Sequence, residues 1–298
     1  MKMDLRQLRY FVAVAEELHF GRAATRMHIS QPPLSQQIRL LEDTLGTQLF
    51  RRNQRNVRLT HEGEVLLAHI KPLLARWDET PGIVAAAKRG DAGFLRVGFT
   101  AASAYYLIPT AIGSFTQRFP AVELALHEMI SNDQVSGLLE NRLDVGLMRP
   151  HARHPDLMSQ KLLDEPLMAV LPAQHPLAAR PAIDLPSLRD LPLISFTPAN
   201  SPYLRDMVEG LLGRDGHTPL VVQRATQPHT LVSLVAAGLG VALVPELTSR
   251  NRLDGVVYRP LAVQDPPVAE MYVCWRKQAT STLLENFLAS LAEAARSR

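Results

Sequence analysis

The segment from Ser30 to Gly46 carries polar side chains whose types and spacing suit hydrogen bonding to the edges of nucleic-acid bases. At helical periodicity the outward positions are Gln31, Ser35, Gln36 and Arg39, and the inward positions are Leu34, Ile38, Leu41 and Leu45. A glutamine amide can bond adenine through two hydrogen bonds, and a serine hydroxyl can bond several base edges. Arg39 on the same side is a suitable phosphate contact. The pattern predicts a helix that reads double-stranded DNA with its N-terminal half.

Two prolines mark the start of this helix. Ser30 is a good N-cap residue, and Pro32 and Pro33 fit a first turn, whose backbone N–H groups lack partners within the helix. Residues before prolines resist helical geometry, so the pattern places the start only to within one or two positions. Gly46 predicts the end. An abrupt start would also present backbone N–H groups to a DNA phosphate.

The neighbouring segments complete a small DNA-binding unit. Apolar residues at helical spacing predict a first helix through residues 8–15, and residues 22–27 predict a short second helix. Downstream, two short strands are predicted around a turn at residues 53–56, with arginines at Arg51, Arg52, Arg55 and Arg58. Arginines on such a wing can enter a narrow minor groove or neutralise phosphates. The order predicts a winged helix-turn-helix, and a helical bundle that serves as an interaction module is the alternative.

The charge distribution agrees with DNA binding at this end of the chain. Residues 1–60 hold ten Lys and Arg against five Asp and Glu, whereas the remaining residues hold 22 against 24. The basic excess therefore lies in the predicted DNA-binding unit, on a nearly neutral body. No apolar run approaches the ~18–20 residues of a membrane span, and the N-terminus lacks the apolar region of a signal peptide. These features predict a cytoplasmic protein without a membrane partner.

The sequence contains few residue patterns that could form a catalytic, metal or cofactor site. Cys274 is the only cysteine, which excludes an internal disulfide, and its surroundings predict a thiol packed in a strand. The "HARH" segment at residues 151–154 lacks further ligands at suitable spacing and indicates a solvated loop. Gly238–Gly240 does not have the spacing of a dinucleotide site, and no nucleophile elbow or Walker loop is present. The sequence predicts no enzyme, no metal and no cofactor.

Residues 61–89 continue with a helical pattern outside the DNA-binding unit. Its apolar positions are Val65, Leu66, Ile70, Leu73, Leu74, Trp77, Ile83 and Val84. An apolar stripe on a helix outside a compact domain requires a partner, which predicts a dimer. Pro72 and Pro81 each predict a kink or a break, with Thr80 as a cap before Pro81. Residues 89–93, "RGDAG", have the composition of a hinge.

Beyond residue 90, strand-like and helix-like segments alternate, which predicts an α/β fold with predominantly parallel sheets. A division near residues 162–166 and a return near residues 260–267 predict two lobes. In such folds ligands bind beyond the carboxyl ends of strands, where this chain has residues 100–103, Ser131, Arg149 and residues 197–201.

These strand ends offer hydroxyls, helix N-termini and a guanidinium, which suit a small anion. Phe196 would supply an apolar wall for a ring. Two alternatives stay open: Ser131 as a helix N-cap, and Arg149 as one half of an ion pair between the lobes. Each of these residues could have its structural role and also bind the ligand.

From "LRYFVAVAEELHF" through "SQPPLSQQIRLLEDTLGTQLFRR" to "VRLTHEGE", about the first 65 residues resemble the N-terminus of LysR-type transcriptional regulators. "DVGLMR" and "LVAAGLGVALVP" resemble, less specifically, the two-lobed effector domain of that family, which is similar to periplasmic binding proteins. The resemblance implies base contacts from Gln31, Pro32, Ser35 and Gln36, and a minor-groove contact from Arg55.

The same resemblance implies that the linker helix pairs with its copy in a dimer. It also implies that residues 100–103 and Ser131 lie in inducer-binding loops. Some members place a serine where this chain has Ala102, and Thr100 or Ser103 is the substitute available here.

These observations predict a multidomain chain. A winged helix-turn-helix occupies residues 1–60, a linker helix 61–89, and an α/β two-lobed, periplasmic-binding-protein-like effector domain 90–298. Lobe I comprises about residues 90–163 and 266–298, and lobe II about 164–265. The predicted DNA-binding residues are Ser30, Gln31, Pro32, Ser35, Gln36, Arg39, Arg52 and Arg55. The predicted effector-binding residues are Thr100, Ala102, Ser103, Ser131, Arg149, Phe196 and Pro202.

The predicted function is ligand-responsive regulation of transcription. A small organic anion between the lobes, most simply a carboxylate, would favour one lobe arrangement. This would change how the two DNA-binding units of a dimer are placed on DNA. The predicted partners are an operator in double-stranded DNA, the anion, further copies in a homodimer or homotetramer, and RNA polymerase if the protein activates. The alternative function is an enzyme or solute-binding protein with an appended DNA-binding anchor.

Overall fold

The computed structural model describes residues 3–53, 56–213 and 216–298. The chain forms two compact units, one ending at Ala85 and the other running from Ala86 to Arg298. Helix α4, His61–Arg89, includes the boundary between them. None of the described helices is long and apolar enough to cross a membrane.

The first unit begins with three helices, α1 (Leu5–Glu17), α2 (Phe20–Arg26) and α3 (Gln31–Leu45). Strands β1 (Phe50–Asn53) and β2 (Asn56–Leu59) then pair antiparallel as a hairpin. Leu34, Ile38 and Leu41 of α3 are fully buried in the core of the unit, and Leu45 is partly buried. The Phe11 and Phe50 rings lie 5.4 Å apart in this core. The winged helix-turn-helix predicted from the periodicity is confirmed.

Local sequence explains where these helices begin and end. Asp4 and Gln7 form a capping box at the start of α1. The His19 ring caps α2, because Nδ1 accepts from the backbone N–H groups of Gly21 and Arg22 at 3.1 and 3.2 Å. Gly46 ends α3 at a φ of 69°, a conformation that glycine adopts without steric cost.

Helix α4 continues through both of its prolines. The predicted break is therefore wrong, and Thr80 caps no new helix: its hydroxyl donates to the carbonyl of Arg76, one turn back. Each proline removes one N–H group and so frees the carbonyl four residues earlier, at Ala68 and Trp77. Both residues are exposed, so water can satisfy these carbonyls.

The apolar stripe of α4 divides into two groups. Ile70 and Leu74 are buried in the core of the first unit, and Leu66 packs partly against it. The exposed group is Val65, Leu73, Trp77, Ile83 and Val84, at 45%, 50%, 54%, 57% and 64% exposure. Leu66 therefore contributes less to a dimer surface than its spacing predicts.

The second unit follows the helix–strand alternation of its sequence. It contains β3 (Ala92–Phe99), α5 (Ala101–Ala104), α6 (Leu107–Arg118), β4 (Ala121–Glu128), α7 (Ser131–Leu139), β5 (Val145–Met148) and β6 (Leu157–Pro172). It continues with β7 (Leu193–Phe196), α8 (Pro202–Leu212), β8 (Val221–Ala225), α9 (Pro228–Ala236), β9 (Ala242–Pro245), β10 (Val256–Pro260), β11 (Val268–Arg276) and α10 (Thr282–Arg296). Short 3₁₀ turns lie at Pro176–Ala179, Pro186–Leu188 and Glu246–Arg250.

The main sheet has the strand order β10-β6-β11-β5-β3-β4, with β9 also paired to β6. Strands β3, β4 and β5 are parallel, as are β7 and β8, whereas every pair that includes β6 or β11 is antiparallel. The prediction of predominantly parallel sheets is wrong, because β6 and β11 run antiparallel along each other and join the rest of the sheet.

Strand β6 belongs to both lobes. Up to Pro166 it pairs with β11, and from Leu167 onward it pairs with β9 and β10. Each lobe has its own core, one centred on Phe115 and Phe287 and the other on Phe196. The predicted two-lobed fold is confirmed, and the predicted lobe boundary at residues 163 and 164 falls inside β6. The exact domain limits stay a prediction.

Candidate functional site

The outer face of α3 is open to solvent. Ser30, Gln31, Pro32, Gln36 and Arg39 are exposed, and Ser35 is half-buried. Because the opposite face supplies the core of the unit, these side chains are directed outward on a rigid element. This arrangement can contact the base edges of a major groove.

The start of α3 differs in one respect from the expectation. Ser30 is the N-cap residue, but within the described part of the chain its side chain makes no cap hydrogen bond. Pro32 and Pro33, at the second and third helical positions, carry no N–H. Of the first three helical positions, only Gln31 therefore has a backbone N–H that could donate to a phosphate.

The wing brings like charges together. Arg51 lies directly opposite Arg58 in the hairpin, and both are exposed. Like charges at such a cross-strand position are destabilising unless an anion lies nearby, so the hairpin is suited to contact DNA phosphates. Arg52 lies in β1 opposite Val57, and Arg55 falls outside the described residues.

A cleft between the two lobes forms the second candidate site. Its cavity volume is about 60 Å³. Its lining residues are Thr100, Ala102, Ile130, Ser131, Asn132, Arg149, Pro150, Asn200, Ser201, Pro202, Tyr203, Leu204, Thr226, Gln227 and Pro228. The structure thus brings together five of the residues predicted from sequence: Thr100, Ala102, Ser131, Arg149 and Pro202.

The other two predicted residues do not line the cleft. Ser103 is fully buried, and its hydroxyl donates to the carbonyl of Thr100 at 2.7 Å. Phe196 is fully buried in the core of lobe II, because it is the last residue of an interior strand. An aromatic wall is supplied instead by Tyr203, in the first turn of α8.

Besides the four-residue α5, three of the described helices begin at the cleft: α7, α8 and α9. Their N-cap residues are Ile130, Ser201 and Gln227, and in the described structure none of these makes a side-chain cap hydrogen bond. Three uncapped helix N-termini give the cleft a positive electrostatic character.

Ser131 is the first residue of α7 rather than its cap, so the helix-cap alternative is wrong. Its hydroxyl oxygen accepts from the backbone N–H of Arg149 at 3.1 Å. The hydroxyl hydrogen can still donate to a ligand. This bond also joins the start of α7 to the end of β5.

Arg149 is both a cleft residue and one half of an ion pair. Its Nη1 lies 2.9 Å from Oε1 of Glu165, and the two side chains are 7% and 0% exposed. The same nitrogen donates to the carbonyl of Glu270 at 3.1 Å. By contrast, Nε and Nη2 are buried without a hydrogen-bond partner among the described residues. The predicted ion pair exists, and it leaves one edge of the guanidinium unused.

Sequence reasoning missed two residues that organise this site. Glu165 stands in β6 near the crossing between lobes, and its Oε2 accepts from the backbone N–H of Leu247 at 3.2 Å. Because β6 also carries Gln160, Lys161 and Asp164, no pattern in the sequence singled out Glu165. Tyr203 accepts from the N–H of Glu270 at 3.0 Å, and burial raises the pKa of its hydroxyl. Tyr203 therefore stays neutral at physiological pH.

Elsewhere in the second unit, Cys274 is fully buried, and burial raises the pKa of its thiol to about 12. The thiol is therefore protonated and a poor nucleophile. In the part of the chain that the structure describes, no group of His, Cys, Asp and Glu residues is arranged to hold a metal ion.

Comparisons with known proteins agree with this architecture. Residues 5–64 match the bacterial regulatory helix-turn-helix family of the lysR type, and residues 88–296 match the LysR substrate binding domain. The HTH-type transcriptional regulator YnfL of Escherichia coli (strain K12) is 40% identical over 298 residues, which cover 99% of this chain and 100% of YnfL. AlsR of Bacillus subtilis (strain 168), also an HTH-type transcriptional regulator, is 35% identical over 96% of this chain and 94% of its own.

Solved structures show the same fold. Full-length CbnR in complex with its target DNA matches with a TM-score of 0.79 at 27% identity, covering 98% of this chain and 100% of that chain. Full-length BenM matches with a TM-score of 0.62 at 30% identity, covering 99% and 97%. The chain belongs to the LysR family and is a ligand-responsive, DNA-binding transcriptional regulator.

Proposed function

We propose that the effector of this regulator is a small organic anion whose carboxylate binds Arg149 between the lobes. Nε and Nη2 lie on the same edge of the guanidinium, and this edge matches the two oxygens of a carboxylate. Nη1 pairs with Glu165 and donates to the carbonyl of Glu270, while Nε and Nη2 have no partner in the described structure. A bound carboxylate would therefore complete the hydrogen bonding of the side chain. The two nitrogens of Arg149 that lack a partner are the main observation in support of this proposal.

The surrounding groups support an anion of this kind. The N-termini of α7, α8 and α9 place positive ends of helix dipoles at the cleft, and Ser131 and Thr100 supply hydroxyls. Ala102 contributes only a methyl group at the position where other family members carry a serine. Thr100 would then supply the hydroxyl that contacts the carboxylate.

The organic part of the effector would lie against apolar groups. Ile130, Pro150, Pro202 and Tyr203 line the cleft beside the polar atoms. An aromatic ring or a short aliphatic chain fits such a lining. The effector class is therefore an aromatic or short-chain carboxylate.

For DNA, the base contacts are assigned to Gln31, Pro32, Ser35 and Gln36. Exposure of the outer face of α3 supports this assignment. Ser30 and Arg39 flank the same surface and are assigned to phosphates, and Arg52 and Arg55 to the wing contact.

The exposed stripe of α4 is assigned to a homodimer, with a homotetramer formed from two such dimers. Leu73 and Trp77 are half-exposed apolar side chains that a second copy would cover. RNA polymerase is a partner if the protein activates transcription, and the cytoplasm, where the operator lies, is its location. Sedimentation at micromolar concentration tests the assembly, since a monomer there would contradict it.

Isothermal calorimetry on the full chain with benzoate, acetate and succinate tests the effector site. Arg149→Lys keeps the charge beside Glu165 but loses the two-nitrogen edge, so affinity for the bound anion should fall about tenfold or more. Arg142→Lys is the matched control, because Arg142 is exposed and pairs with Glu140. Equal affinities for the parent and Arg149→Lys would overturn the assignment. Chemical turnover of the anion would favour the enzyme alternative.

A further inference from the structure

Gln134 is a fully buried amide in α7, one helical turn after Ser131. Its Nε2 donates two hydrogen bonds, to the carbonyl oxygen of Met129 at 3.0 Å and to that of Leu147 at 3.1 Å. Gln134 does not line the cleft. Both of its acceptors lie in segments that do.

Each acceptor stands next to cleft residues. Met129 immediately precedes Ile130 and Ser131, at the start of α7, and Leu147 lies two residues before Arg149. The carbonyl of Leu147 also accepts from the backbone N–H of Thr100 at 3.1 Å. The amide therefore links the segments that carry Ser131 and Arg149, and the carbonyl of Leu147 connects them to the backbone of Thr100.

Space for this amide is provided by two glycines that face each other in the sheet. Gly98 of β3 and Gly146 of β5 are register partners. A Cβ added at Gly146 would lie 2.8 Å from Oε1 of Gln134, and one at Gly98 would lie 3.2 Å from the same atom. Side chains at these positions would displace the amide, so the glycine pair forms a slot for Gln134.

An apolar residue of similar size would fill the slot without the cost of burying an amide. It would remove one donor from each carbonyl, however, and leave that of Leu147 with the N–H of Thr100. The start of α7 would then be joined to the end of β5 through the Ser131–Arg149 bond without the support of the amide. We propose that Gln134 is a positioning residue, which holds the hydroxyl of Ser131 and the guanidinium of Arg149 in the arrangement that binds the anion. This inference rests on the proposed effector site.

The test compares two replacements by methionine in the same helix of the full chain. Gln134→Met keeps the side-chain length and removes both donors. Leu138→Met is the control, since Leu138 is also fully buried in α7 but contacts Leu143, Met148 and Cys274 instead. Affinity for whichever of benzoate, acetate and succinate binds the parent should fall about tenfold in Gln134→Met and change less than about twofold in Leu138→Met.

Amide hydrogen exchange separates positioning from a general loss of stability. In Gln134→Met the N–H groups of Thr100, Met129 and Arg149 should exchange faster, while the core of α6 and α10 keeps its protection. Phe115→Leu, in that core, provides a variant with lowered global stability and intact cleft bonds. The proposal is overturned if Gln134→Met binds the anion like the parent, or if its losses only match those of Phe115→Leu.

Gly146→Ala replaces Gln134→Met if the latter does not fold, because the added Cβ meets Oε1 of Gln134 and the flexible end of Met148. The same faster exchange at Thr100 and Arg149 is expected, and unchanged exchange would overturn the role of Gln134. If the parent binds none of the three anions, the proposed effector fails. The exchange rates then still decide whether Gln134 holds these segments.

Discussion

The outer face of α3 and the interlobe cleft both present hydroxyls, amides and a guanidinium, yet they are built in opposite ways. The α3 face comes from residues 30–39, and nearly all of its polar side chains are exposed. The cleft is assembled from segments around residues 100, 131, 149, 202 and 227, and Thr100 and Arg149 in it are buried. Local periodicity is sufficient for the first surface, whereas the second requires tertiary contacts.

Two arginines, one on each surface, show how this difference affects the stability of the fold. Arg39 is exposed to solvent, so removing it leaves no buried charge behind. Arg149 is only 5% exposed and pairs with Glu165, which is completely buried. Buried polar groups need partners inside the protein, so Arg149 supports the fold in addition to the ligand binding that we propose for it.

The largest expected effect follows from this contrast. Arg149→Met should lower the free energy of unfolding by about 3–5 kcal/mol, because Glu165 would remain buried without its counter-charge. Arg39→Met should change it by less than about 0.5 kcal/mol. Urea denaturation of both full-length variants measures the difference. Similar midpoints for the two variants would contradict a larger structural role for Arg149 than for Arg39.

Ser131→Ala probes the cleft without creating a buried charge. Loss of one donor to an anion should cost about 1.5–3 kcal/mol of effector binding, or roughly tenfold or more in affinity. DNA affinity without effector should stay near the parent value. Calorimetry and gel shifts measure the two quantities, and normal effector binding would remove Ser131 from the site.

Gln36→Ala probes the exposed surface in the same way. Specific binding to a DNA fragment selected from random sequence should weaken by about 1–3 kcal/mol, while non-specific binding changes little. The free energy of unfolding should not change, because Gln36 is exposed. An unchanged ratio of specific to non-specific affinity would contradict a base contact.

Arg55→Ala should have the smallest effect. If Arg55 contacts a phosphate, the variant should bind DNA more weakly, and the slope of log affinity against log salt concentration should become shallower by about one. Salt titrations of parent and variant measure this. Identical slopes would argue against a phosphate contact and leave base reading in the minor groove as the remaining role.

Several features of the fold followed from short-range pattern. The inward residues of α3 predict its buried face, and Gly46 predicts its end, because both depend on backbone geometry within one helix. The carboxyl-end rule for strands also predicts that Thr100, Ser131 and Arg149 lie close together, and all three line the cleft. The mixed sheet was not predictable in this way, because strand direction depends on pairing between β6 and β11, which are distant in sequence.

The sequence by itself determined the buried and exposed faces of α3 and the family of the protein, since a periodic stripe and a local motif need only neighbouring residues. Tertiary structure alone decided that Phe196 lies in the core, that Tyr203 lines the cleft, and that Glu165 meets Arg149. It also decided that Gln134 fits between Gly98 and Gly146. Burial and pairing of polar groups depend on segments brought together by folding, and no periodicity within a single segment records them.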